Sequence, residues 1–222
     1  MLEVWDFITR RPEMIAQWTL EHLWIIFVAN GIAVVIGVSL GIFICGEGRE
    51  QAADSVLYMA GIIMTVPSIA MIGLLMALLA ALNLPSLGFL PAVIALILYG
   101  QLPILRNTYT SIREVDPAMI EAGRGMGMTP AQILFKVKIP LAVPVMMAGL
   151  RNAVVINIGI AAVAALVGAG GLGRAIFRGL RVGRMDLIIV GAIAVSILAL
   201  AVDALLGLVE KKVTPKGIKV KR

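Results

Sequence analysis

Apolar stretches carrying little or no charge run from Leu23 to Cys45, Ser55 to Leu82, Leu87 to Leu105, Leu141 to Val167 and Leu187 to Val209. Each is close to or above the roughly 20 residues that a helix needs to cross a bilayer. None alternates polar and apolar positions as barrel strands do, and backbone groups in hydrocarbon must be satisfied within a helix or a closed barrel. The pattern predicts an all-α membrane protein of about five transmembrane helices, with its membrane domain over 22–209. The sequence "MTVPSIA" interrupts the second stretch, and Pro67 removes a helix donor there, so a kink is expected between Thr65 and Ser68. A bend of this kind serves either a transport path or packing; Thr65, Pro67, Ser68 and, further on, Asn157 are the candidate lining residues. Gly37 and Gly41 form a small-xxx-small pair suited to helix packing.

The longest polar interruption, 115–140, has its own helix grammar. Asp116-Pro117 starts a short helix over "PAMIEAGR" that Gly125 and Gly127 end. Thr129-Pro130 starts a second, with Gln132 placed as in a capping box, which should end before Pro140. The unit predicted is a helix-hinge-helix protrusion. Met119, Ile120, Met126, Met128, Ile133, Leu134 and Phe135 make it more apolar than a solvated loop requires, which marks either a docking surface or an amphipathic element lying on lipid.

Composition agrees with the pattern: 60% of residues are hydrophobic, 14% charged, and the mean hydropathy is +1.01. The net charge of +6 does not point to nucleic acid, because the basic residues are scattered and no aromatics interleave with them. They fit membrane topology instead. With the 106–140 loop in the cytoplasm, that side holds Arg49, Arg106, Arg113, Arg124, Lys136 and Lys138, and a basic tail over 210–222 (Lys211, Lys212, Lys216, Lys219, Lys221, Arg222). The other side holds Arg10, Arg11, Arg174, Arg178, Arg181 and Arg184, so the bias predicts the N-terminus outside and the C-terminus in the cytoplasm. The arginines at 174–184 pull the other way: either they meet a partner protein outside or the GAGGLG segment before them is re-entrant. Residues 1–21 read as an N-terminal interfacial segment: they hold four acids and no apolar core, which speaks against a cleavable signal, and Trp5, Trp18 and Trp24 suit a membrane interface. Arg151 and Asp203, the ionisable residues inside apolar stretches, are expected to make structural pairs.

Catalytic chemistry finds little support. His22 and Cys45 are the single histidine and cysteine, which leaves a metal site almost without support and no Cys/His or Ser/His/Asp set to expect. "GAGGLG" at Gly168 to Gly173 satisfies GxGxxG by letter, but an apolar span precedes it where a dinucleotide site needs a strand. No GxxxxGK[ST] occurs, so this chain holds no Walker A loop.

Glu121-Ala122-Gly123, three residues, Gly127, nine residues and Val137-Lys138-Ile139-Pro140 resemble the EAA loop of bacterial ABC importer membrane subunits, with Gly123 in place of the second alanine. "EHLWIIFVANGIAVVIGVSLGI", "MTVPSIAMIGLLMALL", "LPILRNTYTSIREVDPAMIEAGRGMGMT" and "LVGAGGLGRAIFRGL" are similar to permeases of the osmoprotectant importers, which carry glycine betaine, carnitine or choline. That resemblance implies a type I importer permease of the bacterial inner membrane. It also implies a second permease subunit (a homo- or heterodimer), two cytoplasmic ATPase subunits that bind the ATP and Mg, and an extracytoplasmic substrate-binding protein. Glu121, Ala122, Gly123, Gly127 and Pro140 would then belong to the ATPase-coupling contact. Related permeases for an amino acid or a sulfonate share such a loop. An ion- or proton-coupled secondary transporter would call for inverted repeats and mid-membrane acids, and a scaffold without a path is a third reading. Tyr58, Tyr99 and Phe89 are the aromatics near spans. They are too few for a cage around a quaternary ammonium, which leaves recognition chiefly to the binding protein.

Overall fold

The computed structural model describes residues 9 and 11–214. Trp5, Arg10 and the tail cations Lys216, Lys219, Lys221 and Arg222 lie outside them. The described residues are helical with no strand. Helix α1 covers Pro12–Ile44, α2 Glu50–Thr65, α3 Ser68–Ala81, α4 Phe89–Arg113, α5 Pro117–Gly125, α6 Pro130–Ile133, α7 Ile139–Val163, α8 Gly173–Val182 and α9 Met185–Val213. A π-helical turn, Leu134–Lys138, joins α6 to α7, and a 3-10 turn, Ala164–Val167, follows α7.

Four of these units are long and apolar enough to cross a bilayer alone: α1, α4, Pro130–Val167 and α9. The fifth crossing is α2 and α3 together, bent by 102° where a kink was expected. Its two ends lie at opposite ends of the bundle. Glu50 pairs with Arg113 at the close of α4, 3.3 Å away, whereas the Gly88 amide, just before α4, donates to the Val167 carbonyl at 2.8 Å. The break is therefore an interrupted crossing. At the break Pro67 has no amide hydrogen, and the buried Tyr99 hydroxyl donates to the Val66 carbonyl. Satisfying the freed backbone from a neighbouring helix is what permits a break at membrane depth.

The core is α4 clasped between α1 and α7. Ile25, Ile26 and Ala29 of α1, Val93 and Leu96 of α4, and Val154 and Ile158 of α7 form its largest cluster. Gly37 and Gly41 admit α4 closely: a Cβ at Gly37 would stand 2.7 Å from Ile104 and one at Gly41 2.7 Å from Thr108.

Two boundaries differ from the sequence reading. First, 12–21 is no separate interfacial segment but the opening turns of α1, and Trp18 is buried against Leu172 and Ala175 of the α8 region. Trp24 stays 59% exposed. Second, the helix begun at Thr129 does not stop before Pro140. It passes through the π turn, in which the Ile139 amide bonds the Leu134 carbonyl five residues back. The widened turn gives the Pro140 ring room that a regular α-turn lacks.

The GAGGLG segment is a turn. Gly168, Gly170 and Gly171 adopt φ of 85°, 93° and 80°, a region closed to most side chains. They fold the chain over α1: the Gly171 amide donates to Glu21 at 2.9 Å, the Leu172 amide to His22 Nδ1 at 3.3 Å. The other His22 nitrogen, 3.1 Å from the Ile158 carbonyl, is thereby the protonated one. From this turn α8 runs antiparallel to the start of α9, with Gly179 against Ile188 and Gly191 against Ile176. With 33 and 29 residues, α1 and α9 reach about 50 and 43 Å at 1.5 Å per residue. Both exceed a hydrocarbon core of about 30 Å, and α8 packs on their first turns as a tier at the end opposite α5. Arg174, Arg178, Arg181 and Arg184 stand exposed on that tier.

Candidate functional site

At the other end of the bundle, 114–140 builds a compact knuckle. Asp116 caps α5 by accepting from the Ala118 amide at 2.8 Å. Gly127, at φ 77°, reverses the chain, and the Met128 amide closes the turn onto the Gly123 carbonyl at 3.0 Å. Thr129 and Gln132 form a full capping box: the Gln132 amide donates to Thr129 Oγ1 and the Thr129 amide to Gln132 Oε1. Gly123 is buried, and a Cβ on it would meet Ile133 and Met128 at 3.4 Å. The two arms thus pack on one another through Gly123 and Ile133.

The residues drawn from the EAA pattern separate by position. Glu121, Ala122 and Gly127 are exposed. Glu121 has no hydrogen bond or ion pair with another described residue. Gly123 is a packing position, and Pro140 is half-buried in the shaft that continues into α7. The apolar surface is smaller than the sequence suggested, because Ile133 is 5% exposed. Met119, Met126 and Phe135 remain open at 48%, 74% and 63%. Knuckle and shaft form one unbroken helical run of 38 residues from Pro130 to Val167.

The path candidates also separate. Thr65 and Pro67 are exposed and Ser68 half-buried at the α2/α3 break. Thr65 lies on an open-sided cavity of about 790 Å³ on the α2–α4 face, with Asp54, Tyr58 and Arg106 on the same walls. Asn157 is not on an open face. It is fully buried, and its amide donates to Asn30 Oδ1 at 2.9 Å and to the Leu96 carbonyl at 3.0 Å, binding α7 to α1 and α4. Tyr99, a candidate aromatic, is likewise interior and holds the helix break.

Arg151 and Asp203 do pair. The guanidinium meets both carboxylate oxygens of Asp203 at 2.9 and 2.8 Å and Glu210 at 2.7 Å, which bolts α9 to α7. Glu210 escaped the sequence reading because it lies just past the apolar stretch; its spacing of seven from Asp203, two helical turns, was the available signal.

These features are those of a transport subunit, and comparison with known proteins agrees. The sequence model of the family described as "Binding-protein-dependent transport system inner membrane component" matches residues 33–215. The chain is 43% identical over 205 residues to the osmoprotectant import permease protein OsmW of Salmonella typhimurium, covering 92% of this chain and 94% of that one. It is 41% identical to the choline transport system permease protein OpuBB of Bacillus subtilis, with 90% and 88% covered. To the carnitine transport permease protein OpuCB of Listeria monocytogenes it is 43% identical, with 92% and 90% covered. Among solved structures, an inward-facing MetNI methionine ABC transporter chain superposes with a TM-score of 0.77 at 24% identity, covering 92% of this chain and 99% of that one. That last likeness concerns the fold. The chain therefore belongs to the binding-protein-dependent transport system inner membrane components, as a membrane-spanning permease subunit of an ABC importer.

Proposed function

We infer that this permease imports quaternary ammonium osmoprotectants (glycine betaine, carnitine or choline) with energy from a separate pair of cytoplasmic ATPase subunits. The observation that carries the solute class is the 43% identity, over nearly the whole of both chains, to an osmoprotectant import permease. The ATP and Mg belong to the ATPase, whose cleft receives the knuckle. Glu121 and Ala122, exposed on α5, make the contact, Gly127 sets the reversal, and Gly123 and Pro140 act through packing. A second permease completes the path, and an extracytoplasmic binding protein meets the arginine-bearing tier of α8. In this orientation Pro12 faces outward and Val213 the cytoplasm, which puts Arg49, Arg113, Arg124, Lys136 and Lys138 on the cytoplasmic side.

The test is uptake of labelled glycine betaine, carnitine and choline by cells with and without the gene, alongside Glu121→Lys. The expected result is accumulation of at least one solute, abolished by Glu121→Lys while the subunit still inserts in the membrane and no longer co-purifies with its ATPase. Uptake that follows a proton gradient and ignores ATP, or a Glu121→Lys subunit that transports normally, would refute it.

A further inference from the structure

Two sets of charged side chains on the crossing helices contrast. Arg151, Asp203 and Glu210 neutralise one another through three contacts of 2.7 to 2.9 Å. Asp54 on α2 and Arg106 on α4 do the reverse. They line one cavity, both are exposed, and neither has a hydrogen bond or ion pair with any described residue. Their depth follows from the Glu50–Arg113 pair that marks the knuckle end of these two helices. Asp54 lies four residues inward of Glu50 and Arg106 seven inward of Arg113, or about 6 and 10 Å along the axis, so Arg106, expected in the cytoplasmic loop, stands on α4 instead because the helix continues to Arg113. A lone charge at the centre of a span costs about 2.5–3.5 kcal/mol or more, a cost that falls toward the ends. Arg106 can extend toward the headgroups, but an aspartate side chain is too short to do so. Two opposite charges left unmatched on one open wall, near the knuckle end of a chain that pairs Arg151, Asp203 and Glu210, fit a wall that meets water.

We propose that the α2–α4 cavity is a water-lined solute site in which Arg106 receives the carboxylate of a zwitterionic quaternary ammonium solute while Tyr58 and Asp54 receive its cationic end. The proposal rests on the importer reading and deepens it. Tyr58 lines the cavity at 72% exposure, and the face of an aromatic ring attracts a quaternary ammonium. Asp54 lies one helical turn before it, on the same side of α2. A guanidinium is the side chain whose fork matches a carboxylate. Thr65, whose hydroxyl donates to the Ile62 carbonyl at 2.7 Å, lines the cavity where it reaches the helix break. The site is wide and has one aromatic ring, so it holds a solute loosely, as a passage requires.

Two experiments on the assembled complex in membrane vesicles test it, starting from Cys45→Ala so that the buried native thiol is removed. In the first, Asp54→Cys and Arg106→Cys are treated with a charged, water-soluble thiol reagent, and Leu200→Cys on the apolar face of α9 sets the baseline for lipid. The expected labelling at 54 and 106 is about tenfold or more above the baseline, since thiolate forms only in water; labelling no faster than at 200 overturns the water-lined wall. In the second, Arg106→Met is assayed with three solutes. Uptake of glycine betaine and carnitine, which carry a carboxylate, should fall about tenfold while choline, which has none, stays within about twofold. Tyr58→Ala should lower all three. Equal loss of the three with Arg106→Met overturns the assignment of Arg106. A wild-type complex that imports none of them refutes the solute class, and the labelling still decides whether the wall is wet.

Discussion

Gly123 and Gly173 serve opposite ends of the molecule and differ in what they tolerate. At Gly123 a Cβ would find ordinary contacts at 3.4 Å from Ile133 and Met128. Replacing an interior helical glycine by alanine is favourable by about 0.5–1 kcal/mol. Gly123→Ala should therefore leave transport intact and raise, or at least not lower, the thermal unfolding temperature of the purified subunit. At Gly173 a Cβ would lie 1.9 Å from the Ala162 carbonyl oxygen. Backbone cannot yield that distance, and Gly173→Ala should lose the monodisperse folded peak in detergent chromatography. Tyr99 offers a different residue-level test. Its hydroxyl is the donor for the Val66 carbonyl at the helix break, and a buried acceptor left unpaired costs about 1–3 kcal/mol. Tyr99→Phe keeps the ring packing and should lower the unfolding temperature measurably.

Single elements show how membrane packing is paid for in polar contacts. The last helix, α9, is apolar along most of its length, and lipid offers it no hydrophobic reason to join its neighbours. The Arg151–Asp203–Glu210 triad supplies a directed bond to α7, and Gly207 leaves space for the guanidinium, whose atoms would lie 3.4 to 3.5 Å from a Cβ there. Removing one partner strands the rest. Arg151→Met should destabilise by an amount below the roughly 3–5 kcal/mol of a fully buried pair, since the three side chains are 22–36% exposed and partly screened. The triple change Arg151→Met, Asp203→Leu, Glu210→Met should be milder than the single one, a reversal that thermal unfolding of both variants will check. Local grammar was legible in the sequence for the knuckle, where Asp116, Gly127, Thr129 and Gln132 act on neighbours within a few residues. It was misleading at Pro140, because the π turn that accommodates the ring depends on the register of a long helix rather than on a local signal.

At the scale of the whole molecule, five crossings place Pro12 and Val213 at opposite ends, with the knuckle at one and the α8 tier at the other. The arginines at 174–184 stand exposed on that tier, on the side that the proposed orientation puts outside, and they still count against the charge bias. The orientation predicts one-sided chemistry. In Cys45→Ala cells, Glu121→Cys should react with an impermeant thiol reagent only after the membrane is opened, and Arg178→Cys should react in intact cells; the reverse pattern would invert the topology.

The five apolar runs, the break at Pro67 and the capped knuckle were determined by the sequence alone, since each follows from length, backbone chemistry or contacts between near neighbours. Only the tertiary structure decided that Asn157 and Tyr99 are interior ties, that Gly123 packs while Glu121 projects, and that Asp54 and Arg106 share a cavity without pairing. Those facts depend on which faces of distant helices meet. The physical reason is that a uniformly apolar helix carries no period that marks its buried side, so lipid-facing and protein-facing residues look alike until the helices are assembled.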